Sequence, residues 1–212
     1  MKQKIAILGS TGSIGKSTLD IIRKDKKNFE IVFLSANNNY KKLIQQAKEF
    51  NAKNVLIKNK NFFEKTKNSL KKSKTRVYSG DISIANIISG KLDYTMSAIV
   101  GVAGLQPTVD AIKISKTVAI TNKESIICGW EILSKLVKKY KTKILPVDSE
   151  HFAIMELTKN VSDDEVEEII ITASGGPFLN MLKNKLKNIK PKQAVKHPNW
   201  KMGKKISIDS AN

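Results

Sequence analysis

Two carboxylates, Asp148 and Glu150, follow directly on an apolar run at residues 143–147 (KILPV). They are two residues apart, so in an extended backbone their side chains share a face. Paired carboxylates at a strand end hold a hard divalent cation, Mg²⁺ or Mn²⁺, through oxygen. The same residues also suit a helix start, with Asp148 or Ser149 as the cap and Glu150 in the first turn. Spacing alone leaves both readings open. A second polar cluster, Asn122-Lys123-Glu124-Ser125, follows the run 117–121 (TVAIT), and a third, Ser174-Gly175-Gly176, follows 167–172 (EEIIIT). Lys123 suits an anionic or hydroxyl-rich substrate, and His197 suits phosphate binding or proton relay. Trp200, in a Pro-Asn loop, suits a lid. Taken singly, these three read as well as a surface lysine, a loop histidine and a buried anchor. His151 and Cys128 read as structural, because Cys128 falls inside a helical pattern with apolar neighbours, a poor setting for a nucleophile.

The elements that must position these groups begin at the N-terminus. Residues 4–8 (KIAIL) form an apolar run of strand length, followed by Gly9-Ser10-Thr11-Gly12-Ser13-Ile14-Gly15 and then a helical pattern. Strand, glycine turn and helix together make a cradle for a nucleotide phosphate, with the helix N-terminus supplying N–H donors and partial positive charge. The spacing is GxxGxxG, not the commoner GxGxxG, and it is the context that strengthens it. Apolar and helical patterns then alternate: strands at 30–36, 54–58, 76–79, 94–100, 117–121 and 143–147, and helices at 40–50, 61–72, 82–89, 107–114 and 124–140. Ile127, Trp130, Leu133 and Val137 give the last helix its apolar spacing. This alternation predicts an α/β fold, a Rossmann-type doubly wound parallel sheet over residues 1–150. Residues 151–212 read as the start of a second, α+β domain, with strands at 167–172 and 205–209.

In such sheets an acidic residue near the end of the second strand holds the ribose 2′-OH of NAD. Here that place reads Asn37-Asn38-Asn39, followed by Lys41 and Lys42. A missing carboxylate and nearby lysines favour the 2′-phosphate of NADP; a polar turn before a helix explains the asparagines equally well.

The chain has 212 residues and a formal charge of +19, yet only two of its 38 basic residues are arginine, Arg23 and Arg76. The lysines are spread over outer helix faces without interleaved aromatics, which argues against a nucleic-acid binder and for a basic surface that attracts anions. No apolar stretch approaches the roughly 20 residues of a membrane span. No secretory signal is evident, and the single cysteine excludes an internal disulfide, so the expected location is cytoplasmic.

Taken together and in order, the segments GSTGSIG (9–15), AIVGVAGLQPT (98–108), TNKES (121–125), LPVDSEH (145–151), SGGPF (174–178), HPNWKMG (197–203) and KISIDSA (205–211) resemble the 1-deoxy-D-xylulose 5-phosphate reductoisomerases. The resemblance runs from end to end. It implies an NADPH- and metal-dependent enzyme of isoprenoid-precursor synthesis that rearranges a phosphorylated sugar, by retro-aldol cleavage and re-addition, and reduces the resulting aldehyde to 2-C-methyl-D-erythritol 4-phosphate. It implies that Thr11, Gly12, Ser13 and Ile14 hold the coenzyme pyrophosphate and that Asn37, Asn38 and Asn39 flank the adenosine ribose. Asn122, Glu124 and Gly203 would also line the coenzyme. Asp148 and Glu150 would bind Mg²⁺, Mn²⁺ or Co²⁺. Lys123, Ser149, Glu150 and His197 would be catalytic, with Ser174, Trp200 and Ser210 also serving the substrate. A homodimer built through the second domain's sheet is implied as well.

Two departures from the family pattern stand out. Members often carry Gly and a basic residue where this chain has Asn37 and Asn38. In the family an Asn-Lys-Gly-Leu-Glu segment and a helical domain follow the strand matching 205–209, so the expectation is a fragment with two metal carboxylates rather than three and little activity of its own. Alternatives are an inactive NADPH-binding fragment or another NADP-dependent dehydrogenase. A semialdehyde dehydrogenase would need a catalytic cysteine at a helix start.

Overall fold

A strand buried on both faces shows a continuous apolar run rather than alternation, and the first strand shows why the N-terminal half folds as it does. In β1 (Gln3–Leu8), Ile5 and Ile7 enter one core while Ala6 and Leu8 enter the other. The computed structural model of the chain describes residues 1–199 and 207–208. Six further strands follow: β2 (Phe29–Ala36), β3 (Asn54–Ile57), β4 (Arg76–Ser79), β5 (Leu92–Ser97), β6 (Ser115–Ile120) and β7 (Lys143–Pro146). All neighbouring strands pair in parallel, in the order β4-β3-β2-β1-β5-β6-β7. The order reverses between β1 and β5, which opens a crevice at the carboxyl ends of those two strands, the place where ligands sit in open α/β sheets.

Helices connect the strands: α1 (Ser13–Lys24), α2 (Tyr40–Phe50), α3 (Phe63–Leu70), α4 (Ile84–Ile87), α5 (Leu105–Ile114), α6 (Lys123–Tyr140) and α7 (Ser149–Thr158). Two compact units result, Met1–Asn160 and Val161–Asn212, so α7 belongs with the sheet. The helix expected over 82–89 shrinks to the single turn of α4, which Ser83 caps and which Ile88, already extended, ends. In α6 the buried residues are Ser125, Gly129 and Leu133, whereas Ile127 and Trp130 are 73% and 61% exposed. The apolar spacing of that helix therefore marks the packed face at Leu133 and Val137 but not at Ile127 and Trp130. The α5–α6 contact runs through Gly129, where a Cβ would fall 2.4 Å from the end of the Leu105 side chain, which would have to shift. Cys128, read as structural, is exposed.

The second unit contains single turns at Asp163–Glu165 and Gly176–Phe178 and the short helices α8 (Lys183–Leu186) and α9 (Pro191–Ala194). The strand expected at 167–172 is not formed. Residues 166–175 are irregular, and Ile169, Ile170 and Ile171 are exposed. An apolar run becomes a strand only when a neighbour satisfies its backbone, and among the described residues this unit has no other strand. Of the strand expected over 205–209, only Ser207 and Ile208 are described, both with helical backbone. No described helix is long and apolar enough to cross a membrane.

Candidate functional site

At the carboxyl end of β1 the chain turns on Gly9, whose φ of +81° is costly for any other residue. A Cβ there would also lie 2.7 Å from the carbonyl oxygen of Ala98, just after β5. The turn is tied down from below. Gly9 N–H donates to Ser35 Oγ at 3.0 Å, and Ser10 N–H donates to the Ser35 carbonyl at 2.8 Å. Buried Ser10 Oγ donates to Gln46 Oε1 at 2.8 Å, while Gln46 Nε2 donates back to the Ser10 carbonyl at 2.9 Å. Gln46 was missed in the sequence. The only available signal was a polar residue on the apolar face of α2.

The helix that follows is left open at its start. Gly12 is the N-cap of α1 with no side-chain cap, and the first turn holds no acidic residue. Its first N–H groups and partial positive charge therefore remain for an anion. Gly12, Ser13 and Ile14 are exposed and Thr11 is half-buried. A Cβ on Gly12 would touch only the Gly9 carbonyl oxygen, at 3.4 Å, so the space above it is open. The cradle fits a dinucleotide pyrophosphate.

Asn37, Asn38 and Asn39 lie exposed beyond β2. Asn39 caps α2 by accepting from Lys42 N–H at 3.1 Å, and Asn38 Oδ1 accepts from Asn59 Nδ2 at 2.9 Å. The polar turn before a helix is thus present, with Asn39 as the cap of that helix. Lys41 stays exposed beside it.

Beyond β6, Asn122 caps α6 and is 3% exposed. Its Oδ1 accepts from Ser125 N–H at 2.9 Å. Its Nδ2 donates to the carbonyls of Ile99 and Gly101 at 2.6 and 2.8 Å. The side chain thus fastens the loop after β5 to the start of α6. Lys123 and Glu124 form the first turn of that helix.

Beyond β7, Asp148 performs the capping role that its sequence left open. Its Oδ1 accepts from the backbone N–H of His151 at 3.0 Å and lies 2.7 Å from His151 Nδ1. The carboxyl side chain is 10% exposed, and Oδ2 is buried with no hydrogen-bond partner among the described residues. Burial pushes the Asp148 carboxyl up, but the bonds from His151 outweigh it and hold the group below the usual carboxylate range. It is an anion with one oxygen satisfied and one orphaned. Glu150 stands in the first turn of α7, with Oε2 accepting from Ser149 Oγ at 3.1 Å and Oε1 4.0 Å from Lys123 Nζ. The fold therefore brings Lys123, Ser149 and Glu150 together from two strand ends. The donor set is hard oxygen, as Mg²⁺ or Mn²⁺ requires, and the orphaned Oδ2 fits a cation. Among the described residues no group of three acidic, His or Cys side chains is placed to hold a metal.

In the second unit, Ser174 and His197 meet although 23 residues separate them, with Oγ 2.9 Å from Nε2. Asn199 N–H donates to Nδ1 at 3.1 Å, so in the neutral ring Nε2 carries the proton and donates to Ser174 Oγ. Gly176 N–H donates to the same oxygen at 3.3 Å. With both lone pairs used, Ser174 has its own O–H to give to an outside acceptor. Gly175 and Gly176, both at positive φ, make the bend that turns this hydroxyl onto a cleft of about 630 Å³ lined also by Met181, Lys185 and Asn199. Trp200, Gly203 and Ser210 lie outside the described residues.

The doubly wound parallel sheet with a glycine turn at its switch point defines a Rossmann-type α/β protein. Residues 5–129 match the family model described as 1-deoxy-D-xylulose 5-phosphate reductoisomerase, and residues 144–212 match that of its C-terminal domain. The chain belongs to the 1-deoxy-D-xylulose 5-phosphate reductoisomerase family. It is 56% identical to the reductoisomerase of Pelagibacter ubique, over 99% of this chain and 54% of that protein. It is 47% identical to that of Wolbachia pipientis, over 99% of this chain and 54% of that protein. Among solved structures it resembles the reductoisomerase from Zymomonas mobilis in complex with NADPH, at TM-score 0.90 and 39% identity, covering 100% of this chain and 54% of that one. A reductoisomerase in complex with NADPH, fosmidomycin and magnesium matches at TM-score 0.82 and 36% identity, over 99% and 54%. The chain spans about half the length of the curated relatives it matches.

Proposed function

We propose that this chain carries the coenzyme- and metal-binding part of an enzyme that converts 1-deoxy-D-xylulose 5-phosphate to 2-C-methyl-D-erythritol 4-phosphate with NADPH. The observation that carries the reading is the buried, orphaned Oδ2 of Asp148, on the same strand end as Glu150, whose Oε1 lies 4.0 Å from Lys123 Nζ. When bound, a divalent cation polarises the substrate carbonyl and NADPH supplies hydride.

The chain's own residues do the rest. Thr11, Gly12, Ser13 and Ile14 hold the coenzyme pyrophosphate at the open start of α1. The adenosine ribose lies by Asn37, Asn38 and Asn39, and Lys41 and Lys42 provide the positive charge for its 2′-phosphate. Asn122 positions the loop after β5, with Glu124 at the start of α6 and Gly203 also serving the coenzyme. Asp148 Oδ2 and Glu150 hold Mg²⁺, Mn²⁺ or Co²⁺, and His151 fixes the orientation of the Asp148 carboxylate. Lys123 Nζ and Ser149 Oγ donate to the oxygens of the substrate's carbon chain. Ser174, with His197 behind it, donates its O–H to the substrate phosphate, which Ser210 also serves; Trp200 belongs to a lid. The protein works in the cytoplasm as a homodimer.

Manganese binding tests the reading. Mn²⁺ titrated into the chain should bind, by loss of the free-ion electron paramagnetic resonance signal, and Asp148→Asn should abolish that binding while the fold is kept. Equal Mn²⁺ binding by the Asp148→Asn variant would remove the metal site from this strand end.

A further inference from the structure

The opposite end of the sheet carries a second concave surface, at the amino ends of the strands and away from every residue assigned above. It is a groove of about 290 Å³. Its walls include Val32, Ile88 and Leu92, all buried. Five cations line it: Lys4, Lys53, Lys74, Arg76 and Lys91.

One of the five is balanced. Lys53 Nζ pairs with Glu30 at 2.6 Å, whereas Asp93 accepts from the Lys4 backbone N–H at 2.8 Å but gives its charge to Lys116 Nζ at 2.7 Å. Among the described residues Lys91 Nζ reaches only the carbonyl of Tyr140, at 3.5 Å. Lys74 and Arg76 have no ion pair among the described residues. Helices α2 and α3 end at this rim, as does α6, whose last residue is Tyr140; carbonyl ends attract cations, but each is worth about half a charge. Together they offset less than half of the charge of the four cations outside an ion pair. The position of Arg76 adds to the argument. The chain's other arginine, Arg23, is consumed by Asp20 and Glu49. Arg76, in a lysine-dominated protein, offers its planar fork unpaired, and that fork matches phosphate oxygens.

We propose that this groove is a second binding site, for a multiply charged phosphate, either free or borne on a nucleoside whose base lies on the apolar wall. The phosphates are held by Arg76, Lys74 and Lys91. The site is independent of the coenzyme cradle, because it uses the other ends of the strands.

The test is a ¹⁵N NMR titration of the chain with inorganic triphosphate and, separately, with adenosine triphosphate, at low salt because exposed charges are screened beyond about 10 Å at 0.1 M. The expected result is saturable shifts at the amides of Asn54, Arg76, Ser89 and Lys91. Tighter saturation by the nucleotide than by triphosphate identifies a nucleoside-borne ligand, and equal saturation a free one. The double variant Arg76→Glu, Lys91→Glu should weaken this response on the order of tenfold, while shifts at Gly9–Ile14 stay as they were. Shifts confined to Gly9–Ile14, or a groove response indifferent to the double charge reversal, would overturn the proposal.

Discussion

Replacing Gly15 by alanine should separate what the glycine turn does for the fold from what it does for a ligand. A Cβ at Gly15 would lie 2.5 Å from the Gly9 carbonyl oxygen, 2.6 Å from Ser10 Cα and 2.7 Å from the Ser10 carbonyl carbon. All three are backbone atoms, and Ser10 is locked by its buried bonds to Gln46. No side chain can swing aside, so α1 must move off the turn. Overpacking of this kind costs about 1–3 kcal/mol. Because only backbone can yield here, the upper half of that range applies, about 2–3 kcal/mol; alanine returns about 1 kcal/mol inside a helix, leaving a net loss of about 1–2 kcal/mol and a melting temperature lower by about 2–8 °C for a chain of this size. Gly12→Ala meets only one oxygen at ordinary contact distance. Its stability should stay within about 0.5 kcal/mol of the parent, yet the methyl occupies the space where a pyrophosphate approaches. NADPH affinity should fall on the order of tenfold or more. Denaturant unfolding followed by circular dichroism, with NADPH fluorescence titration of both variants, reads the two effects. A Gly15→Ala protein as stable as the parent, or a Gly12→Ala protein with undiminished NADPH affinity, would refute the reasoning.

Further outcomes follow from other contacts. Asp148→Ala removes the cap of α7 and should cost about 0.5–2 kcal/mol, whereas Asp148→Asn keeps an oxygen for His151 N–H and should stay close to the parent in a denaturant melt. Leu133→Ala should cost about 2–5 kcal/mol and Trp130→Ala, three residues earlier on the exposed face, less than about 0.5 kcal/mol; equal losses would show that α6 buries the wrong face. The hydrogen bond from Lys116, with that from the Lys4 backbone, holds the Asp93 carboxyl below its usual range. A depressed folded-state pKa gives stability that is present above the unfolded value, near pH 4, and is lost as pH falls through the folded one. The stability gap between the parent and Asp93→Asn should therefore be constant at neutral pH and close on acidification below about pH 4, in melts taken across that range.

The sheet was legible because its strands are buried on both faces and its helices carry punctuation: glycine after β1, asparagine before α2 and α6, aspartate before α7. The glycine turn and the strand-end clusters were legible for the same reason, since chemistry at strand ends is read from residue type and position. Side-chain partnership was not. Nothing in the sequence says that Gln46 locks Ser10, that Asn122 fastens the loop after β5 to the start of α6, or that Ser174 meets His197, because these contacts join segments more than twenty residues apart. The isoleucines at 169–171 show the opposite failure. Their β-propensity is strong, but pairing depends on a partner strand that propensity cannot supply. Trp130 misled because apolar spacing marks a buried face only where something packs on it.

The most direct test of the central reading is consumption of NADPH by this chain completed to the length of its relatives, with 1-deoxy-D-xylulose 5-phosphate and Mg²⁺. The account predicts oxidation that requires both the sugar phosphate and the metal and that falls by orders of magnitude in Asp148→Asn and Lys123→Ala. A folded, NADPH-binding protein that oxidises no coenzyme under these conditions would contradict it.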